Sequence, residues 1–330
     1  MTWPSTPHLS SETVPTDPVD GARSLLTLTS LDSLAFKNIV DSAAAYGNDA
    51  TSFSKRLFGR RVGLIFLAPS TRTRASFWTA ATTLGCQILH LGGDDLQVST
   101  GETWSDTGMI LTNYLDVAVL RTDGPQAELQ EFAVHFPATI NAVSRTEHPT
   151  QSIADMCAIR ENVGATAKLR IAYLGAANNT ARSLAQMACL VEGLTLDVYA
   201  PESYAFDDEE LKYLNHMARR EAVTQRFRVP ARPDAVDAVY TTRWESMGKK
   251  RSESDWRSKF VEFRVTESTM AKFSRRDRDA FFMHDLPAKR GEEVSSCVLD
   301  SALSLVRSQA RHKVSAAAAA LLYVSSDTRC

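Results

Sequence analysis

Val62-Gly63-Leu64-Ile65-Phe66-Leu67-Ala68-Pro69-Ser70-Thr71-Arg72-Thr73-Arg74-Ala75-Ser76-Phe77-Trp78 decides the fold of this chain. The apolar run Val62–Leu67 reads as a strand buried on both faces, and Pro69 ends it. Ser70 to Arg74 then make a tight turn, and Ala75 onward opens a helix. The turn brings hydroxyls and guanidinium groups to a helix start, where the first amides lack intrahelical partners and the dipole is positive. Such a turn is a phosphate site. The lysine-containing glycine-rich loop of nucleotide hydrolases is absent, so the phosphate belongs to a small substrate.

Outward from this turn, strand-like and helix-like segments alternate. Leu31, Leu34, Ala35, Ile39 and Val40 keep helical spacing to about Tyr46, where Asn48 and Asp49 end the helix. Gln87–Leu91, Val117–Leu120 and Pro137–Asn141 are short apolar runs, read as buried parallel strands, with a helix over Thr103–Tyr114 between the first two. A helix over Gln151–Glu161 leads into a second series of strands at Leu169–Leu174, Leu194–Tyr199, Ala238–Tyr240 and Phe281–Met283. The alanine-rich stretch Ala310–Tyr323 is a terminal helix. Alternation of this kind predicts an α/β chain with two doubly wound parallel-sheet domains and a cleft at the carboxyl ends of their strands. The expected divisions are a disordered lead over 1–22, a first domain over 23–150 and a second over 151–309. The last segment, 310–330, is expected to rejoin the first domain. Residues 245–266, charged and without clear period, read as a mobile loop.

Bulk properties narrow the function. The chain has 330 residues, 44% hydrophobic and 23% charged, which suits two ordinary soluble domains. A formal net charge of −2 gives no reason to expect nucleic acid or an anionic membrane as partner. No apolar run approaches the roughly 20 residues of a membrane helix, and the N-terminus lacks a basic, apolar secretory signal. The five cysteines (Cys86, Cys157, Cys189, Cys297, Cys330) are scattered without metal-type spacing, so free thiols in a reducing cytoplasm and no metal site are expected. Gly175-Ala176-Ala177-Asn178 lacks the glycine pattern of a dinucleotide-binding turn.

Three further motifs follow the phosphate turn: His148-Pro149-Thr150-Gln151, Trp244-Glu245-Ser246-Met247-Gly248, and His284-Asp285-Leu286-Pro287-Ala288-Lys289-Arg290-Gly291. In this order and spacing, from about Leu25 to about Tyr323, they resemble the ornithine branch of the aspartate/ornithine carbamoyltransferase family. The resemblance implies transfer of the carbamoyl group of carbamoyl phosphate to the side-chain amine of a diamino acid, with no cofactor. Such a reaction needs cations on the phosphate, donors on the carbonyl oxygen and an amine held in line. By resemblance Ser70, Thr71, Arg72 and Thr73 hold the phosphate, and Arg121 bridges phosphate and carbonyl oxygen. His148 donates to that oxygen, Gln151 binds the carbamoyl amino group, and the backbone at Asp285 and Leu286 accepts from it. Arg72, Arg121 and His148 are the expected catalytic residues. Gln97 would reach the neighbouring subunit's site, which implies a homotrimer with sites at its interfaces. Asn178 or, more naturally, Asn179 would bind the amino-acid carboxylate, with Ser246 and the Met247 backbone nearby.

Three positions depart from the pattern. Asp285 stands where ornithine enzymes usually carry Cys, Thr242 where they carry the Asp that holds the α-ammonium, and Lys313 where an Arg usually contacts carbamoyl phosphate. Lysine keeps the charge but loses the fork that bridges two oxygens. One carboxylate has gone and another has appeared beside the reacting centre. We therefore expect an acceptor shorter than ornithine, such as 2,3-diaminopropionate or 2,4-diaminobutyrate. The alternatives are an ornithine enzyme of arginine synthesis, or a catalytically silent relative that binds carbamoyl phosphate.

Overall fold

The computed structural model describes residues 23–122, 124–164, 168–245 and 255–326. The expected disordered lead, 1–22, lies outside them. Within them run two sheets whose strand pairs are all parallel. The first is built from β1 (Arg61–Phe66), β2 (Gln87–Gly92), β3 (Val117–Arg121) and β4 (Thr139–Val143), in the order β2-β1-β3-β4. Around it lie α1 (Ser33–Asn48), α2 (Arg72–Thr83), α3 (Trp104–Leu111), α4 (Gln126–His135) and α5 (Pro149–Asn162). The second comprises β5 (Leu169–Leu174), β6 (Leu194–Tyr199), β7 (Val223–Arg226), β8 (Ala238–Thr241) and β9 (Phe281–His284), in the order β7-β6-β5-β8-β9. Its helices are α6 (Asn179–Leu190), α7 (Asp208–Ala218), α8 (Glu267–Phe273) and α9 (Ser296–Leu299), and the described chain ends in α10 (Val306–Ser325).

Local chemistry explains most boundaries. Asp32 caps α1 by accepting from the Ala35 amide at 2.7 Å, and Phe36, Ile39, Val40, Ala43 and Tyr46 form its buried face. Pro149 opens α5, whose residues from Pro149 to Ile159 are all buried, packed chiefly against α10, α1 and α6. Buried Ala316 to Ala320 let α10 approach α1, α2 and α5 closely, so the terminal helix returns to the first lobe. Gly108 serves a similar purpose between α3 and α4, since a Cβ there would stand 2.5 Å from the Phe132 carbonyl oxygen.

Two expectations require correction, and one strand was not anticipated. Strand β2 is parallel but not buried: it is the sheet's edge, with Leu89 45% exposed, because nothing packs beyond it in a single chain. The reading of 245–266 as a mobile loop fails over 255–266, which includes a 3₁₀ turn at Ser258–Phe263. Trp256 and Phe260 there pack against Trp244 in a small apolar cluster, and Phe263 is buried as well. Trp256, Phe260 and Phe263 are spaced four and three apart, a helical pattern that the surrounding charged residues concealed. Finally, four-residue β7 escaped notice because Val223-Thr224-Gln225-Arg226 has one buried apolar residue.

Candidate active site

In each sheet the strand order reverses at one point, and a crevice opens at the carboxyl ends of the strands there. In the first sheet that point lies between β1 and β3; in the second, between β5 and β8. The loops after these strands line one shared cavity of about 630 Å³. Ser70, Thr71, Arg72 and Thr73 come from the β1–α2 turn and Arg121 from the end of β3. His148 precedes α5, Asn178 and Asn179 follow β5, Thr242 follows β8, Asp285 and Leu286 follow β9, and Lys313 comes from α10.

The phosphate turn has the form expected of it. Thr71, at the cap of α2, makes no side-chain capping bond, so a ligand can meet the helix's first amides. Arg74 does not join it; its guanidinium lies over the Phe66 ring, 5.1 Å from the centroid. A register shift between Leu120 and Arg121 at the end of β3 turns Arg121 relative to the ladder. Gly175 leaves β5 with φ +144°, and Asn178 then caps α6 by accepting from the amides of Thr180 (3.0 Å) and Ala181 (3.1 Å). Its amide nitrogen donates to Thr242 Oγ1 at 3.2 Å. Asn178 is thus committed to structure, and so is Asn179, whose Nδ2 donates to the Ser144 carbonyl and whose Oδ1 accepts from the Thr180 amide, each at 3.0 Å.

Charge in the cavity is strongly positive. Arg72, Arg121, Arg145, Arg182, Arg243 and Lys313 line it, against Glu245 and Asp285. Arg145, Arg182, Arg243, Glu245 and Thr180 were not anticipated from sequence. Arg182 follows Asn178 by one helical turn, and Arg243 and Glu245 adjoin Thr242 on the same crest, so strand-end position was the available signal. Arg182 is held by the Glu210 carboxylate, with one contact at 3.0 Å. Burial pushes the His148 imidazole well below its ordinary pKa, and the Lys313 and Arg121 cations add to the effect. The ring is therefore neutral at neutral pH, with Nδ1 buried and unbonded. Burial also lowers Lys313 to about 8: Asp285 and Asp155 oppose the shift, while Arg72 and Arg121 reinforce it.

Asp285 occupies a fixed position. Its carboxylate accepts from Thr180 Oγ1 at 2.7 Å, and its other oxygen lies 3.3 Å from Nδ1 of buried His284. The next residue, Leu286, has left-handed backbone (φ 55°), held by its surroundings rather than by its own preference.

Not every expected residue reaches the cavity. Gln97 is exposed in a 3₁₀ turn at Gln97–Thr100, away from the lining. Gln151 is buried one turn into α5, where its Nε2 donates to Asp155 Oδ1 at 2.7 Å while Oε1 has no partner. Ser246 and Met247 lie outside the described residues. Among the described residues no group of His, Cys, Asp and Glu could hold a metal ion, and no helix is long and apolar enough to cross a membrane.

Comparison with known proteins agrees with this arrangement. Residues 23–161 match the aspartate/ornithine carbamoyltransferase, carbamoyl-P binding domain, and 167–324 match the Asp/Orn binding domain of the same family. The chain is 35% identical over 307 residues to an ornithine carbamoyltransferase of Caldicellulosiruptor saccharolyticus, covering 92% of this chain and 98% of that one. The corresponding enzyme of Haloquadratum walsbyi is 34% identical over 294 residues, covering 88% and 94%. The structure of ornithine carbamoyltransferase from Pyrococcus furiosus superposes with a TM-score of 0.82 at 32% identity, covering 92% of this chain and 97% of the other. That of the anabolic enzyme from Campylobacter jejuni gives 0.83 at 28%, covering 92% and 98%. Two parallel sheets, a cationic crevice at their switch points and matches along both halves lead to one conclusion: the chain belongs to the aspartate/ornithine carbamoyltransferase family and is a carbamoyltransferase.

Proposed function

We propose that the protein transfers the carbamoyl group of carbamoyl phosphate to the side-chain amine of ornithine. The observation that carries the reading is the meeting, in one cavity, of the phosphate turn, Arg121, His148 and Lys313 with Asn179 and the Asp285–Leu286 crest. The neutral amine attacks the carbonyl carbon, an N–C bond forms, and the C–O bond to phosphorus breaks with its electron pair leaving on phosphate. The amine proton passes to the departing phosphate or to solvent. Ser70, Thr71, Arg72, Thr73 and Lys313 bind the phosphate, and Arg121 and neutral His148 stabilise charge on the carbonyl oxygen. The backbone of Asp285 and Leu286 takes the carbamoyl amino group, and Gln151, buried outside the lining, offers it an unpaired amide oxygen. Asn179 binds the amino-acid carboxylate, and Ser246 and Met247 complete that side.

A second reading keeps the shorter acceptor. Asp285 puts a carboxylate in the cavity, and Thr242, bonded to Asn178, offers none where an α-ammonium would be held. Against it, Asp285 already serves Thr180 and His284, and the relatives compared are named ornithine carbamoyltransferases. Steady-state phosphate release with ornithine, 2,4-diaminobutyrate and 2,3-diaminopropionate separates the two. The double change Asp285→Cys with Thr242→Asp raises relative kcat/KM for ornithine if the second reading holds, and leaves the ranking unchanged if ornithine is already the substrate.

The same reading includes a homotrimer in which Gln97 serves a neighbouring site. Exposed Gln97, Trp78 (49%) and Leu89 (45%), all on the first lobe, support a contact with a second copy. It also includes the cytoplasm, which the free thiols Cys86, Cys157, Cys189 and Cys297 favour. Light scattering on the purified chain tests the assembly.

A further inference from the structure

Buried outside the cavity lining is a hydrogen-bond chain of which the reaction scheme uses only Gln151. Asp155, fully buried on α5, accepts through one oxygen from both Gln151 Nε2 (2.7 Å) and Gln309 Nε2 (2.8 Å). Gln151 stands one turn before it on α5, and Gln309 comes from α10, one turn before Lys313. The Gln309 carbonyl oxygen in turn accepts from the backbone amide of His284 at 3.0 Å, immediately before the Asp285–Leu286 crest. The amide oxygen of Gln151 is buried and bonded to nothing.

An ionised carboxylate can only accept, so it dictates which end of each glutamine faces it. Gln151 must present its nitrogen to Asp155, and the planar amide then directs its oxygen elsewhere. Gln309 must do the same, which leaves its own oxygen for the His284 amide. Building on the carbamoyl-transfer reading, we infer that Asp155 is a positioning residue for the carbamoyl amino group. It holds the Gln151 oxygen as an acceptor on one side, and through Gln309 and His284 it holds the backbone crest on the other. Without a strict acceptor at this point either glutamine could rotate by half a turn, and Gln151 would then present N–H groups to N–H groups.

The charge on Asp155 is itself balanced by its neighbours. Burial raises its pKa to about 6, against the Gln309 and Gln151 bonds and the Lys313 cation from α10. The Tyr240 hydroxyl of β8 faces it from the second sheet and helps to hold it ionised. Protonation gives Asp155 a donor and releases the constraint on both amides.

The test compares affinities for phosphonoacetamide, which carries a phosphonate and a carboxamide, and for inorganic phosphate, which lacks the amide. Calorimetry on the full chain gives the affinity ratio in the wild type, Asp155→Asn and Asp155→Leu between pH 8 and pH 5.5. Asparagine keeps the shape but adds donors, so the ratio should fall roughly tenfold at pH 8, beyond any smaller loss shared by both ligands as Lys313 loses the support of the Asp155 charge. The wild-type ratio should fall about threefold by pH 5.5, where most but not all of Asp155 is protonated, and that fall should vanish in Asp155→Asn. Asp155→Leu should lose at least as much, and Asp155→Asn decides the matter if the leucine variant does not fold. An unchanged ratio in Asp155→Asn, equal losses for both ligands, or a flat wild-type ratio on acidification overturns the assignment. Turnover of carbamoyl phosphate is followed in parallel. Turnover with an unchanged ratio rejects the role of Asp155 alone, whereas absence of turnover with every amine rejects the carbamoyl-transfer reading.

Discussion

Lys313 offers a quantitative handle on phosphate binding. It is buried, it lines the cavity beside the β1–α2 turn, and its pKa is lowered to about 8, chiefly by burial. A bound dianion requires the charged form and would hold the proton well above pH 8. Linkage then makes the association constant fall by the factor 1 + 10^(pH − 8) as the free enzyme loses its proton. The fall is about tenfold between pH 7 and pH 9 and approaches a hundredfold by pH 10. Arginine at the same position stays charged throughout this range, so Lys313→Arg should bind with little pH dependence, and Lys313→Met should show the weak alkaline affinity at every pH. The assay is calorimetric titration with inorganic phosphate from pH 7.5 to 10, each variant against wild type. A wild-type affinity that stays level to pH 10, or a Lys313→Arg profile with the same alkaline fall, would refute the reasoning: either result means that Lys313 does not titrate against the phosphate.

Three other outcomes follow from particular contacts. Because burial keeps His148 neutral, kcat should show no limb near pH 6.5 from this residue, and His148→Ala should lower kcat by about 10²–10³ as a lost oxyanion donor; a change confined to KM would contradict this role. Raising the Asp155 pKa from its ordinary 3.8 to about 6 means that ionisation costs the folded state stability as pH rises through that window. Asp155→Asn should then be more stable than wild type at pH 8, by at most about 3 kcal/mol, with the gain vanishing near pH 4 in urea titrations. Gly108→Ala drives a methyl group into the Phe132 carbonyl oxygen and should cost about 2 kcal/mol in the same assay, whereas a neutral result would mean that α3 and α4 separate freely.

The strength of the sequence lay where chemistry and chain position coincide. Val62–Leu67 followed by Ser70–Thr73 specified strand, turn and helix, because an unbroken apolar run and a polar helix start are both local signals. The same held for β5 with Asn178 and for β9 with Asp285, so most expected ligand groups do meet in the cavity. What escaped depends on contacts distant in sequence. Burial of β2 could not be judged from its composition, because edge or centre is decided by strand order. Trp256 and Phe260 gained a partner in Trp244 through packing, which a four-residue spacing within a charged segment could not announce. Arg145 and Arg243 became cavity residues only through the placement of their loops. Gln151 was recognised by its motif, but the Asp155 and Gln309 side chains that fix its amide come from one turn away and from a helix more than 150 residues later.

The central claim is tested most directly by incubating the protein with ¹³C-carbamoyl phosphate and ornithine and following products by mass. The account predicts phosphate release that depends on the amine, with the label appearing on the side-chain nitrogen of a ureido amino acid. Release of phosphate at the same rate with and without amine, and no label in any amino acid across ornithine, 2,4-diaminobutyrate and 2,3-diaminopropionate, would contradict it.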